Sequence, residues 1–204
     1  MAIAATLWMS DDLGAWSLAL DAYPDVIAAQ GVNGLGELDR WYREDLPSLI
    51  RGRTPPSILA SELVRVVEWK MRRGEWRARN LALVKGNDAD LIRAITEQAL
   101  QMAPDLRRPV DRIASLVGVG PATASAVLAA YRGDLYPFLD DVIGRAIPEL
   151  GEPKFTLPYY VKYAQALRDR ATALGSPWTV QGVGLAIWSA AGGKAGGDHG
   201  PRLR

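Results

Sequence analysis

Apolar side chains recur about every three to four residues along most of the chain, a spacing that places them on one face of an α-helix. A clear example follows Pro56, where Leu59, Leu63, Val66 and Val67 fall on or near one face. Pro and Gly residues separate such stretches and mark their ends. The pattern predicts about ten helices in total. The best defined of them cover residues 57–73, 75–85, 90–102, 107–116, 121–131, 159–174 and 179–191.

The β-branched runs are short and fall inside helical periodicity, so no strand is predicted and we expect an all-α fold. Residues 1–10 form a short apolar lead-in. Residues 1–191 are expected to make a single helical domain, because nearly half of the chain is apolar and can supply a core. The Gly-rich, polar stretch 192–204 predicts a disordered tail.

Charge and composition narrow the possible chemistry. The 24 basic and 23 acidic side chains give a formal net charge of +1, so any nucleic-acid binding must come from a local basic patch. Cysteine is absent and His199 is the only histidine. These facts argue against iron–sulfur clusters, zinc sites and a Ser-His-Asp triad. No apolar run approaches the roughly 18 residues of a membrane span, and no signal peptide is evident, so we expect a cytoplasmic protein.

A short glycine-containing turn separates two of the predicted helices. Gly118 and Gly120 flank Val119, and Pro121 stands at the first helical position, where its missing N–H costs nothing. Glycines let the backbone turn tightly and expose its N–H groups, which face the same way as the positive end of the helix. Such groups suit phosphate. An ordinary helix–loop–helix turn has the same outline, and phosphate binding is the favoured interpretation.

Residues 116–124 read L-V-G-V-G-P-A-T-A. This resembles the pattern L-P-G-[VI]-G-x-x-[TS]-A of the helix-hairpin-helix in the DNA base-excision glycosylases, the superfamily of endonuclease III and 3-methyladenine glycosylase II. The resemblance covers residues 110–147 well and the rest only as an all-helical pattern. It implies two helical lobes with a base pocket between them. It also implies that the hairpin contacts DNA through Gly118, Val119, Gly120, Ala122 and Thr123.

In that superfamily a catalytic aspartate follows the hairpin on the next loop, and the usual spacing falls on Asp140. Removing a base builds positive charge on the deoxyribose, and a fixed carboxylate stabilises that charge and orients or deprotonates a water. Asp141 follows directly, where many members have another residue, so the catalytic role stays open between the two with Asp140 favoured. Either aspartate could instead cap the next helix.

Bifunctional members of the superfamily carry a lysine two positions after the last glycine of the hairpin, and its amine attacks the sugar. Ala122 stands at that position here. The resemblance therefore implies a monofunctional glycosylase that uses water and does not nick the strand. It requires no metal or other cofactor, and it allows a monovalent cation at the hairpin carbonyls.

The segment 65–85 is strongly basic in an otherwise near-neutral chain. Seven basic residues stand there against Glu68 and Glu75, with Trp69 and Trp76 interleaved. Basic side chains with aromatics suit phosphates and a stacked or flipped base. The alternative is a solvated helix face whose tryptophans point into the core. The candidate DNA-binding residues of this segment are Lys70, Arg72, Arg73 and Arg77, and the candidate base-pocket residues are Trp69 and Trp76.

The sequence thus predicts a DNA glycosylase that flips a damaged or modified base out of duplex DNA and hydrolyses its N-glycosidic bond. We expect it to act as a monomer, in the cytoplasm or on the nucleoid of a bacterium, and without a membrane partner. Three alternatives remain: a non-catalytic helix-hairpin-helix DNA-binding module, an enzyme of nucleotide or modified-base chemistry on the same scaffold, and a helical interaction domain.

Overall fold

A computed structural model describes residues 2–194. This part of the chain is all-helical, as predicted, and contains no β-strand. Two short stretches differ from α-helix, a π-helical turn, Trp41–Asp45, and a 3₁₀ turn, Pro148–Leu150. The α-helices are α1 Ala2–Trp8, α2 Leu13–Asp21, α3 Tyr23–Ala29, α4 Leu35–Arg40, α5 Leu46–Arg51, α6 Ala60–Arg73, α7 Ala78–Lys85, α8 Ala89–Leu100, α9 Arg108–Ala114, α10 Pro121–Tyr131, α11 Asp141–Arg145, α12 Leu157–Leu174 and α13 Val180–Ala190.

Short polar side chains fix where many of the helices begin. Asp12, Asp88, Thr156 and Thr179 each accept a hydrogen bond from a backbone N–H in the first turn of α2, α8, α12 and α13 respectively. Asp140 does the same for α11. These contacts satisfy N–H groups that have no partner within the helix.

The helices from the two ends of the chain pack together, and so do those from its middle. Helix α13 lies against α1, α2, α3 and α12, while α10 lies against α5, α6 and α9. One continuous apolar cluster runs through both groups. The division into two lobes with a base pocket between them stays a prediction.

Helix α10 is buried from Thr123 to Ala130. Its small side chains let neighbouring helices approach closely. The hydroxyl of Ser125 accepts a hydrogen bond of 2.9 Å from the backbone N–H of Leu139. This bond fixes the segment before Asp140 to the helix that follows the glycine turn.

Both ends of the described chain contain local structure. Residues 2–8, within the apolar lead-in, form α1. Residues 192–194, expected as the start of a disordered tail, form a turn after α13, in which the N–H of Gly193 donates to the carbonyl of Trp188 at 3.0 Å. Residues 195–204 of the predicted tail, with His199, lie outside the described residues. No helix between residues 2 and 194 is long and apolar enough to cross a membrane.

Replacing Ser125 by Ala should lower the free energy of unfolding by about 1–3 kcal/mol, because the buried N–H of Leu139 loses its acceptor. Urea denaturation measures the change. Ser115→Ala is the matched control, since the Ser115 hydroxyl is exposed and bonds only to its own helix turn. Equal effects of the two substitutions would contradict the structural role of Ser125.

Candidate functional site

Three of the stretches that the sequence singled out meet at one cleft of about 240 Å³. They are the glycine turn with the start of α10, the end of α6 with the loop after it, and the segment that contains both aspartates. Phe155 and Lys194 complete the lining. The lining residues are Lys70, Arg73, Gly74, Glu75, Arg77, Asn80, Gly118, Gly120, Pro121, Ala122, Thr123, Phe138, Leu139, Asp140, Asp141, Phe155 and Lys194.

The glycine turn is held tightly against α7. Gly118 has φ +78°, a left-handed conformation that favours glycine. A Cβ there would lie 2.7 Å from Cβ of Leu83 and 3.0 Å from the carbonyl oxygen of Asn80. The side chain of Asn87 holds the turn further, because it donates to the carbonyl of Val117 at 2.8 Å and accepts from its N–H at 2.9 Å.

The turn also presents free backbone donors. Within residues 2–194, the N–H groups of Gly118, Gly120 and Ala122 donate no hydrogen bond to the protein. A Cβ at Gly120 would meet no atom within 4 Å, so the backbone is open there. Val119 differs from the prediction, because its side chain is buried and its N–H donates to the carbonyl of Leu116 at 3.1 Å. Exposed backbone donors at the start of an 11-residue helix form an arrangement that can bind an anion.

Asp140 is held rigidly at the buried side of the cleft. One carboxylate oxygen accepts from the N–H of Val142 at 2.8 Å, and this caps α11. The other accepts from the guanidinium of Arg73 at 3.1 Å. The side chain is only 5% exposed. Asp140 therefore caps a helix and lines the cleft at the same time.

Arg73 belongs to a buried polar network rather than to a solvated surface. Its guanidinium donates to the hydroxyl of Tyr23 at 2.6 Å and lies 4.0 Å above the ring of Trp188. The Tyr23 hydroxyl donates to Asp39, which also accepts from the indole N–H of Trp69 at 2.8 Å. Arg73 is 4% exposed and Trp69 fully buried. Both side chains thus belong to the buried network, although Arg73 also lines the cleft, and their contacts with DNA or a base stay predictions.

Asp141 sits at the first position of α11 and is more accessible. Its carboxylate accepts from Nζ of Lys194 at 2.6 Å and from the guanidinium of Arg145 at 2.7 Å. Burial opposes its ionisation, but the hydrogen bonds and charges of Lys194 and Arg145 outweigh this and lower the pKa of Asp141. Asp141 is thus an ionised carboxylate neutralised by two cations.

The remaining candidates divide between the cleft and its surroundings. Lys70, Arg77, Ala122 and Thr123 line the cleft, and their predicted role in DNA binding stays a prediction. Arg72 points away from it, donates to the carbonyl of Asn33 and lines a separate groove beside α4. Trp76 is 52% exposed on the loop beside the cleft, between two residues that line it.

Phe155 and Lys194 are among the lining residues that the sequence analysis did not single out. Phe155 is 51% exposed in the loop before α12, and an isolated aromatic residue in that loop was the available signal. Lys194 lies 53 residues from its partner Asp141, and its Gly-rich neighbourhood gave no sign of the contact.

No metal site emerges from the side chains between residues 2 and 194, where no group of three or more His, Cys, Asp or Glu residues could hold an ion. The predicted monovalent cation stays a prediction. The carbonyls of Leu116 and Val117 in the hairpin each accept a protein hydrogen bond, which leaves each with one further lone pair.

Comparison of the chain with family models, with curated proteins and with solved structures gave no match.

The geometry of the turn makes its two glycines unequal. Gly118→Ala should lower the free energy of unfolding by about 1–3 kcal/mol, because the new Cβ meets α7 and the φ angle is unfavourable. Gly120→Ala should lower the free energy of unfolding far less, since the φ of −109° at Gly120 is ordinary and a Cβ there has open space. Urea denaturation of both variants measures the difference, and a larger loss at Gly120 would contradict this account.

Replacing the buried Arg73 should destabilise the protein. Arg73→Met leaves Asp140 without its charged partner and should lower the free energy of unfolding by about 3–5 kcal/mol. The control is Arg132→Met, which breaks the exposed pair with Asp134 and should cost less than about 1 kcal/mol. A double variant, Arg73→Met with Asp140→Asn, should recover part of the loss. Additive effects would argue against direct coupling of the two side chains.

Proposed function

We propose that this chain is a monofunctional DNA glycosylase that flips a modified base out of duplex DNA and hydrolyses its N-glycosidic bond. The observation that carries the proposal is the meeting of the glycine turn, the aspartate segment and the basic end of α6 in one cleft. Those three stretches are separate in the sequence. The glycine turn and the basic end of α6 were predicted to bind DNA, and the aspartate segment was predicted to supply the catalytic carboxylate.

The glycine turn would bind the DNA backbone. The free N–H groups of Gly118, Gly120 and Ala122 at the start of α10 suit one phosphate of the DNA backbone. Lys70 and Arg77 line the same cleft and add positive charge. Because the contacts are to phosphates, binding should weaken steeply as salt rises.

An aspartate would catalyse removal of the base. A carboxylate beneath the anomeric carbon stabilises the positive charge that develops on the sugar and orients a water for attack. Asp140 suits this role, because two hydrogen bonds fix its position at the cleft. Asp141 is the weaker candidate, since Lys194 and Arg145 neutralise its charge.

The flipped base would be held by aromatic side chains near the cleft. Trp76 and Phe155 are about half exposed and lie where a base could stack on them. They take the place of Trp69, which is in the core. The volume of about 240 Å³ is smaller than the roughly 300–1,000 Å³ of typical drug-sized sites and suits a single base.

One observation favours a second candidate, a non-catalytic helix-hairpin-helix DNA-binding module. Both carboxylate oxygens of Asp140 are already used, one by the helix cap and one by Arg73. A carboxylate in that situation can be purely structural. The monomeric state, the cytoplasmic location and the absence of a required cofactor stay predictions under both candidates.

A base-excision assay distinguishes the two candidates. Duplex oligonucleotides would carry uracil, hypoxanthine, 8-oxoguanine, alkylated purines, mismatches or hypermodified pyrimidines, and alkali cleavage would reveal abasic sites. Wild type should release one of these bases. Asp140→Asn should lower the rate at least about 100-fold while DNA binding persists, because the charge that stabilises the sugar cation is lost.

Asp141→Asn is run in parallel, and Asp169→Asn, at an exposed position on α12, serves as the control. Circular dichroism of each variant shows whether it is folded. A loss of activity at Asp141 alone would move the catalytic role to that residue. Salt-sensitive binding with no release from any substrate would favour the non-catalytic module.

A further inference from the structure

Lys194 reaches the cleft from the end of α13, and the turn that carries it is firmly held. The N–H of Gly193 donates to the carbonyl of Trp188 at 3.0 Å. The side chain of Gln30 donates to the carbonyl of Gly192 at 3.2 Å. Gly193 has φ +61°, which favours glycine, and a Cβ there would lie 2.6 Å from the ring of Trp188. Because the turn packs this closely, the point from which Lys194 leaves the core is fixed.

The side chain of Lys194 passes the end of α6 and ends on Asp141. A Cβ at Gly74 would lie 4.0 Å from Cε of Lys194, so the stem runs beside that residue. Nζ lies 2.5 Å and 2.6 Å from the two carboxylate oxygens of Asp141. The side chains of Lys194 and Asp141 are only 21% and 16% exposed, so water screens this pair less than a surface pair. The contact therefore holds the ammonium group at one place in the lining of the cleft.

The contact with Asp141 leaves part of the ammonium group unused. A lysine ammonium has three N–H donors, and the two oxygens of Asp141 take at most two of them. Among the described residues, Nζ of Lys194 has no other partner. The guanidinium of Arg145 also pairs with Asp141, at 2.7 Å, and its charge alone balances that carboxylate. Lys194 thus brings a free N–H donor and a surplus positive charge to the cleft.

The glycine turn presents donors to the same cleft. Gly118, Gly120 and Ala122 line it together with Lys194, and their N–H groups donate no hydrogen bond within residues 2–194. A phosphodiester has two non-bridging oxygens that share one negative charge. One oxygen can accept from backbone N–H groups while the other accepts from an ammonium group. Donors of both kinds in a cleft of about 240 Å³ suit one phosphate.

We propose that Lys194 binds a phosphate of the DNA backbone in the cleft and that Asp141 positions Lys194 for this contact. The inference rests on the proposed function for its ligand. It gives the two aspartates separate tasks, since Asp140 would act on the sugar, whereas Asp141 is a positioning residue that acts through Lys194. It also extends the functional part of the chain beyond residue 191, the predicted end of the domain.

The experiment compares two substitutions that remove the same charge from the same cluster. Lys194→Gln can still donate to Asp141 through its amide but has no charge for a phosphate. Arg145→Gln is the matched control, because Arg145 pairs with the same carboxylate and does not line the cleft. Fluorescence anisotropy measures binding of the full chain to a duplex with a tetrahydrofuran abasic analogue over a series of salt concentrations. Circular dichroism shows whether each variant is folded.

Lys194→Gln should weaken binding about tenfold at low salt. It should also make the plot of log affinity against log salt less steep by about 0.9, the change expected for loss of one phosphate contact on duplex DNA. Arg145→Gln should bind within about threefold of wild type and keep the slope. Lys194→Arg retains the charge and should also keep the slope. Equal losses in Lys194→Gln and Arg145→Gln would show that only the net charge of the cluster matters, and would overturn the inference.

Asp141→Asn tests the positioning role. The neutral amide cannot hold the ammonium group by charge, so in this background Lys194→Gln should weaken binding less than about threefold. A full tenfold effect in the Asp141→Asn background would overturn the role of Asp141. Loss of base release by Asp141→Asn at saturating DNA would overturn it as well, since a residue that acts through DNA binding is then not needed.

Failure of this inference is distinguishable from failure of the proposed function. Salt-sensitive binding that Lys194→Gln leaves unchanged overturns the inference and leaves the proposed glycosylase intact. Absence of DNA binding and of base release overturns both. A weaker salt dependence in Lys194→Gln, with no base released from any substrate by wild type, supports the inference and favours the non-catalytic DNA-binding module.

Discussion

The ion pair between Arg73 and Asp140 is the contact on which the candidate site depends. It joins the end of α6 to the start of α11, and both side chains are almost fully buried. A buried ion pair is stable only when its remaining donors and acceptors are also satisfied. Here the guanidinium donates to the hydroxyl of Tyr23 and lies 4.0 Å from Asp39, and the N–H of Val142 donates to the carboxylate. Among the described residues, Nε of Arg73 has no hydrogen-bond partner. Separate parts of the chain must therefore fold together before the cleft exists.

The inner part of the cleft is held more firmly than its rim. Asp140 and the glycine turn are held by hydrogen bonds and by close packing on α7. Trp76 and Phe155, in contrast, lie half exposed on loops. This arrangement suits a site that positions a sugar and a phosphate accurately while it accommodates bases of different shape.

Local patterns in the sequence were sufficient for the fold class, most helix positions and the glycine turn, because each of these depends on residues close together in the chain. Burial within α6 was harder to predict. Trp69 and Lys70 are consecutive, yet about 100° of helix rotation places one in the core and the other in the cleft. Trp69 continues the apolar stripe of Val66, so its burial was in principle predictable. The contact of Lys194 with Asp141 was not, since no local pattern links residues so far apart.

The hydrogen bond between Ser125 and Leu139 has a consequence for motion in the molecule. Because it ties α10 to the segment before Asp140, a displacement of the glycine turn would be passed directly to that segment. The loop from Gly74 to Arg77, which carries Trp76 and joins α6 to α7 without belonging to either, is not held by this bond. Under the proposed function, we expect this loop, rather than a hinge between the turn and the carboxylate, to move when a nucleotide enters the cleft.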